Sequence, residues 1–187
     1  STAYKRLVTG IGGQAWPTAA DRVSNANITE AIIAAKNAPA TVDPRAPIQF
    51  EPAGMIDDPQ DPAMKGNWHV TSAVGAAMDN GQFVSNFAKI GTWYYGTIDR
   101  KYQLFKYSEL CFLKAIAIER GLIAGNAKDA YEAGVRSNMA EFDIPEAVIT
   151  DYLASTAPNY YGTTAKYDDT TGDCNTHMDK ILTQKYI

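Results

Sequence analysis

The chain has 187 residues, of which 45% are hydrophobic and 20% are charged, and its formal net charge at pH 7 is −4. This composition is typical of one globular domain with a substantial core and excludes wholesale disorder. The charge balance argues against a nucleic-acid partner, because phosphate binding requires a concentrated basic surface and no basic run is longer than a pair such as Arg100-Lys101.

No stretch approaches the roughly 18 consecutive apolar residues of a membrane-spanning helix. The start at Ser1 has no charged segment followed by an apolar one, so no signal peptide is predicted. Two cysteines do not make a disulfide framework. Cys111 lies in an apolar run and is expected to be buried, while one bridge to Cys174 stays an open alternative.

Residues 1–105 are predicted to be rich in loops, with one helix. Asn27 and Glu30 form a capping-box pattern that starts a helix over 28–36. Six prolines between Pro39 and Gly66 then predict coil, with at most a short strand over 48–50.

A helix that is packed on most of its circumference is predicted from Lys106, because only Lys114 is polar between Leu110 and Ile118. Gly121 is expected to end it, since glycine suits the position after a helix. These residues predict the first helix of a helical scaffold over 106–187.

The second helix of the scaffold is predicted over 126–139, with Glu132 and Arg136 as an i,i+4 ion pair. Its stripe at helical spacing consists mostly of small residues, which allow two helices to approach closely in a hairpin of the tetratricopeptide kind. The members of this stripe are Ala127, Ala130, Tyr131 and Gly134.

Two further helices are predicted, one from Pro145 to about Leu153 and one from near Thr176. The face expected to be apolar in the last helix carries Met178, Ile181, Leu182 and Tyr186. This pattern is unfinished at residue 187 and has no C-cap residue, so we expect a truncation there. We also expect the domain to be incomplete at both ends.

Residues 107–121, with the sequence Y-S-E-L-C-F-L-K-A-I-A-I-E-R-G, resemble the Y-(A/S)-E-x-x-F-(I/L)-K-A-E-A-x-x-R-G signature of SusD-like (SusD/RagB) outer-membrane proteins. Five further segments resemble this family in the same order. They are V-D-P-R at 42–45, I-G-T-W-Y-Y at 90–95, A-K-D-A-Y-E-A-G-V at 127–135, Y-L-A at 152–154 and T-Q-K-Y-I at 183–187. Ile116 departs from the signature, which has glutamate there.

The resemblance implies the C-terminal portion of a mainly α, SusD-like fold with tetratricopeptide-like helical hairpins and a loop-rich segment. Residues 1–105 would then carry a ligand or partner face, and 106–187 the scaffold, both within one domain. Proteins of this family are surface lipoproteins that cap a SusC-like TonB-dependent transporter and hand over glycans or peptides. The resemblance therefore implies a nutrient-binding protein without catalysis or cofactor, attached to the membrane only through an N-terminal lipid anchor absent from this chain.

Trp68, Trp93, Tyr94 and Tyr95 are the candidates for ligand contact, because sugar rings stack their C–H faces on aromatic rings. The alternative, favoured for any one of them, is that they anchor loops onto the scaffold or face the transporter. A second alternative for the whole chain is a helical-repeat module that binds another protein and no nutrient.

Asp43 and Arg45 are expected to be a structural pair that holds a loop to the scaffold, with a ligand-binding arginine as the alternative. The acidic loop at 168–173 lacks the spacing of a calcium loop and is predicted to be solvated. His69 and His177 are far apart, and neither zinc spacing nor a nucleophile pattern is present. The sequence thus predicts no metal site and no catalytic residue.

Overall fold

The computed structural model of the chain describes residues 42–53, 62–66, 89–91, 93, 103–159 and 161–187. The chain divides into two compact units, one of Ser1–Thr41 with Ala46–Lys101 and one of Val42–Arg45 with Tyr102–Ile187. The helix predicted over 28–36 lies outside the described residues.

In the first unit, helix α1 (Ala46–Gln49) leads into strand β1 (Phe50–Glu51), which pairs antiparallel with β2 (Lys89–Ile90) in the register Phe50 to Ile90. A short 3-10 helix covers Pro62–Met64. The strand predicted over 48–50 was therefore wrong at its first two residues. The proline at position 47 is compatible with a first helical turn, and only Phe50 and Glu51 find a partner strand.

The pairing of these strands depends on a close approach of the backbone at Gly91. Its N–H donates to the carbonyl oxygen of Gln49 at 2.7 Å. A Cβ atom at this position would lie 2.7 Å from the carbonyl oxygen of Ile48, which is too close for any other residue without a shift of the backbone.

The described part of the second unit contains four helices, α2 (Tyr107–Glu119), α3 (Ala127–Ala140), α4 (Glu146–Ala154) and α5 (His177–Tyr186). All four were predicted from the sequence, and the structure confirms them. Helices α2 and α3 pack on each other as a hairpin, while α2 also packs on α5 and α3 on α4.

Local signals explain where these helices begin and end. Gly121 has a φ of 68° and donates to the Ile118 carbonyl, while Leu122 donates to the Ala117 carbonyl, which together make a Schellman end for α2. The side chain of Asn126 accepts from the first-turn N–H groups of α3. Thr176 and Asp179 form a capping box at the start of α5.

The core of the hairpin lies where the small stripe of α3 meets Phe112 of α2. All four stripe residues are buried, and Tyr131 has no exposed surface. A Cβ atom at Gly134 would lie 2.5 Å from the ring of Phe112, so only glycine admits the ring at this distance. The prediction of close packing through small residues is confirmed.

Two predictions about helix faces were wrong. Helix α2 buries one side only, and Leu110 and Leu113 are 50% and 44% exposed. In α5, Leu182 and Tyr186 are exposed, whereas the buried face carries Lys180, Ile181 and Gln184. The polar side chains of that face are buried because they have partners elsewhere in the second unit, and apolar periodicity cannot show such partners.

Candidate functional site

The predicted aromatic ligand site can be located in part only. Trp68, Tyr94 and Tyr95 lie outside the described residues. Trp93 is half-buried and has a helical backbone conformation. The assignment of these four residues to a ligand therefore stays a prediction.

The most organised polar site of the second unit surrounds Arg45, which is completely buried. Its guanidinium donates to both carboxylate oxygens of Asp43, through Nε at 2.9 Å and Nη2 at 2.5 Å. The backbone N–H of Arg45 also donates to this carboxylate at 2.9 Å. The predicted structural pair of Asp43 and Arg45 is thus confirmed.

Two amide side chains complete the arginine site. The Oδ1 atom of Asn138 on α3 accepts from Arg45 Nη1 at 2.6 Å, and Oε1 of Gln184 on α5 accepts from Nη2 at 2.6 Å. Gln184 Nε2 in turn donates to the Tyr152 hydroxyl of α4 at 2.8 Å. One arginine therefore fastens the segment 42–45 to three helices of the scaffold.

The electrostatics of this site favour a permanent ion pair. Burial by itself acts to lower the pKa of Arg45, but the adjacent Asp43 carboxylate and its hydrogen bonds outweigh this and raise the pKa above its usual value. Burial, followed by the charge of Asp43, raises the pKa of Tyr152 well above its usual value. Arg45 and Tyr152 therefore keep their protons near neutral pH, which suits a structural role.

An open cavity of about 210 Å³ lies beside this site, between the start of α2, the end of α3 and the end of α5. Asn138 and Gln184 belong both to its wall and to the arginine site. Its other polar wall residues include Lys106, Ser108 and Lys185. The wall also contains one carboxylate, Glu109, which is paired with Lys185, and most of its other polar groups can donate hydrogen bonds.

A buried lysine organises the loop between α4 and α5. Lys180 has no exposed surface, and its Nζ donates to the Thr164 carbonyl at 3.0 Å, to the Thr164 hydroxyl at 2.6 Å and to Asn175 Oδ1. Burial lowers the pKa of Lys180 to about 8. The three acceptors replace the water that the ammonium group loses.

The stability of the chain is expected to rise with pH through the titration of Lys180. Since its pKa is about 8 in the fold and about 10.5 when unfolded, the unfolded chain binds more protons between these two values. Each pH unit in this window adds about 1.4 kcal/mol to the free energy of unfolding. Urea unfolding at pH 8 and pH 10 measures the gain, and Lys180→Met should remove it. An equal gain in the variant would contradict the assignment to Lys180.

The acidic loop at 168–173 uses its first two carboxylates within the protein. Asp168 forms an ion pair with Lys128, and Asp169 accepts from the Thr171 hydroxyl at 2.6 Å and from the Thr164 hydroxyl at 3.2 Å. Among the described residues, no three histidine, cysteine or acidic side chains are grouped as a metal ion requires. The loop therefore presents no calcium cage in the part of the chain that the structure describes.

Within the described ranges, every helix is too short or too polar to span a bilayer. Cys111 is buried, as predicted, and Cys174 is exposed, and both carry free thiols. Glu141 lies 2.7 Å from the Lys106 ammonium group in an ion pair. Burial thus accounts for Cys111, and the ion pair with Lys106 for Glu141.

The profile of a known family matches residues 7–187, and the family is described as starch-binding and associating with the outer membrane. The chain belongs to the SusD-like family. The crystal structure of a SusD homolog from Parabacteroides distasonis is similar to it, with 36% sequence identity and a TM-score of 0.62. The match covers 100% of this chain and 34% of the homolog, so the chain spans about a third of the length of that protein. No curated protein matches the chain.

The arginine site joins three of the segments that carry the SusD-like resemblance. The D-P-R segment supplies Asp43 and Arg45, the Y-L-A segment supplies Tyr152, and the Q-K segment supplies Gln184. Segments that are far apart in this SusD-like sequence therefore form one buried contact. Their shared role in the described unit is to hold the scaffold together.

Sequence reasoning missed Asn138 and Lys180 as members of polar sites. Both occupy helix positions that look like ordinary surface positions in the sequence of this SusD-like chain. Their partners are Arg45, 93 residues away from Asn138, and Thr164 with Asn175, which lie in a loop. The sequence contains one signal for Asn138, which is its helical spacing from residues that are buried. It lies seven residues after Tyr131 and four after Gly134, on the same face of the helix.

Proposed function

We propose that this chain is part of a surface-exposed, non-catalytic subunit that captures a glycan or another oligomeric nutrient for a SusC-like TonB-dependent transporter. The observation that carries the proposal is the family match over residues 7–187, whose description names starch binding and the outer membrane. A lipid anchor at the N-terminus of the whole protein would hold such a subunit at the cell surface. Catalysis is no part of the proposal.

The second unit supports this role because it holds the chain segment that leads into the first unit. The segment 42–45 is fixed by a buried ion pair and two amides, and it runs directly into α1 and β1 of the first unit. A binding site built on loops needs such fixed points, because each loop that orders on binding lowers the affinity. The predicted aromatic residues Trp68, Trp93, Tyr94 and Tyr95 are the proposed contacts with the ligand.

Trp93→Ala is expected to weaken binding of a starch-derived maltooligosaccharide at least tenfold, since loss of one stacked aromatic ring costs about 1–3 kcal/mol. Isothermal titration with maltoheptaose measures the affinity. Tyr161→Ala is the matched control, because Tyr161 is an exposed aromatic residue of the second unit and should leave the affinity within twofold. If neither the parent chain nor Tyr161→Ala binds maltoheptaose, the saccharide proposal is wrong. An oligopeptide titrated in parallel tests the peptide alternative.

The transporter part of the proposal is tested separately. The tagged protein in its native membrane should retain a TonB-dependent transporter after mild detergent extraction, and mass spectrometry identifies it. Failure to recover any such transporter, with the tagged protein itself fully recovered, would contradict the partnership but leave saccharide binding untouched.

A helical-repeat module that binds another protein is the second candidate function. It is favoured by the uncovered apolar side of α2, where Leu110 and Leu113 are about half exposed. Such a module would show no affinity for any saccharide or peptide nutrient, either in the parent chain or in Trp93→Ala. The titration with maltoheptaose therefore also separates the two candidates.

A further inference from the structure

We propose that the cavity between the start of α2 and the ends of α3 and α5 is a binding site for a carboxylate group. The described residues that line the site all belong to the second unit, and the predicted aromatic residues are not among them. The site goes beyond the proposed function, because a chain that fails to bind starch oligosaccharides could still bind a carboxylate here. The two proposals therefore fail separately.

The buried arginine determines which atoms of the cavity wall face outward. Arg45 donates to Asn138 Oδ1 at 2.6 Å, so the oxygen of this amide is turned towards the arginine. The opposite end of the amide, its NH₂ group, is then the end left for the cavity. Asn138 is only 6% exposed, so this donor is held in place by packing as well as by its hydrogen bond.

Gln184 is oriented by the same site. Its Oε1 accepts from Arg45, and one hydrogen of its Nε2 goes to the Tyr152 hydroxyl. Both amides of the wall thus use their acceptor oxygens internally. A ligand that can only accept hydrogen bonds therefore fits these two amides better than one that needs acceptors.

The hydroxyl of Ser108 is a further donor and has no hydrogen-bond partner within the described residues. Ser108 is 2% exposed and belongs to the cavity wall. Because this hydroxyl lies in the wall of an open cavity and makes no hydrogen bond to the described residues, a ligand oxygen can accept from it. This hydroxyl is the second, independent indication that the cavity takes an acceptor.

The N-terminus of α2 adds a positive potential at the same place. Its N-cap residue, Lys106, provides no side-chain hydrogen bond to the first turn. The N–H groups of the first turn, at Tyr107, Ser108 and Glu109, thus have no capping side chain. Helix N-termini of this kind attract carboxylates through these N–H groups and the helix dipole.

The charged groups of the cavity leave donors free on both lysines. Lys106 lies 2.7 Å from Glu141, and Lys185 lies 3.2 Å from Glu109. These two pairs balance in formal charge, so attraction at long range is weak. Lys185 donates one of its three hydrogens to Glu109, whereas the pair of Lys106 with Glu141 is an ion contact without a hydrogen bond, so both ammonium groups keep hydrogens for a carboxylate.

The size of the cavity limits the ligand to one small group. Its volume of about 210 Å³ is below the range of about 300–1,000 Å³ for sites that enclose drug-sized ligands. A carboxylate with the few carbons next to it fits such a space. Two sources share this chemistry, the uronate of an acidic sugar and the C-terminal carboxylate of a peptide.

The test is a titration of the ¹⁵N-labelled chain followed by NMR, with D-glucuronate and N-acetyl-dialanine as the probes. Methyl glucoside and N-acetyl-dialanine amide are their neutral counterparts. The carboxylates should shift the amide signals of Tyr107, Ser108 and Glu109 with a millimolar dissociation constant, and the neutral compounds should bind at least tenfold more weakly. Tighter binding of either carboxylate supports the site and identifies its source.

Variants decide whether these shifts come from the proposed contacts. Ser108→Ala should weaken carboxylate binding about threefold and Lys185→Met about tenfold. Lys114→Met is the matched control, since Lys114 is exposed on α2 and is not part of the cavity wall, and it should change the affinity less than twofold. Equal shifts with the neutral compounds, no shift at the start of α2, or equal losses for Lys185→Met and Lys114→Met would each overturn the proposal.

Discussion

Replacement of Arg45 by methionine is expected to lower the free energy of unfolding by about 3–5 kcal/mol, a large fraction of the stability of a typical domain. The methionine retains much of the side-chain volume, so the loss comes from charge and hydrogen bonding. Asp43 is 1% exposed and would remain as a buried carboxylate without its partner. Asn138 and Gln184 would also lose a donor, at 2.6 Å each in the parent chain.

Urea unfolding followed by circular dichroism measures this loss. Arg136→Met is the matched control, because Arg136 is 35% exposed and pairs with Glu132 and Glu146 at the surface, where such pairs contribute less than about 1 kcal/mol. The double variant Arg45→Met with Asp43→Asn should recover part of the stability, since it removes the buried charge. An effect of Arg45→Met no larger than that of Arg136→Met would show that the ion pair does not hold the segment 42–45 to the scaffold.

The helices of the second unit were predictable from sequence because their limits are set by neighbouring residues. Asn126 accepts from the backbone two and three residues further on, and Gly121 closes a turn with Ile118. Interactions of this range leave a mark in the local sequence. The bounds of α2 and α3 accordingly differ from the predicted ones by a residue or two.

The burial of polar residues could not be predicted in the same way. Gln184 lies 139 residues from Arg45, and no local pattern shows that the two side chains meet. Apolar periodicity placed Leu182 and Tyr186 on the inner face of α5, whereas the inner positions are taken by Lys180 and Gln184. A buried lysine or glutamine is stable only with partners, and those partners are fixed by the tertiary fold.

The candidate sites differ in how much the sequence revealed of them. The Asp43–Arg45 pair was predicted because the forked guanidinium of arginine suits a buried carboxylate, and the structure confirms it. The carboxylate site could not be predicted, since it depends on which end of the Asn138 amide faces Arg45. Of the aromatic candidates, only Trp93 lies among the described residues, so their role in binding stays a prediction.

Gly134→Val is expected to lower the free energy of unfolding by about 3 kcal/mol, at the upper end of the cost of overpacking a core. A Cβ atom at this position would lie 2.5, 2.8 and 2.9 Å from three ring atoms of Phe112. The ring cannot turn away freely, because Phe112 is 2% exposed and packs against Tyr131 at a centroid distance of 6.5 Å.

For Gly134→Ala, the sign of the change in the free energy of unfolding decides whether the close contact with Phe112 exists. In a helix interior without steric conflict, replacing glycine by alanine stabilises by about 1 kcal/mol, whereas the contact with Phe112 predicts a loss of about 1–2 kcal/mol. Thermal and urea unfolding distinguish the two outcomes, and Phe112→Leu in the same chain should relieve part of the conflict by shortening the side chain. A stabilised Gly134→Ala chain would mean that α2 and α3 do not approach as closely as the small stripe indicates. The hairpin would then be packed more loosely than in the structure from which the arginine site and the cavity are described.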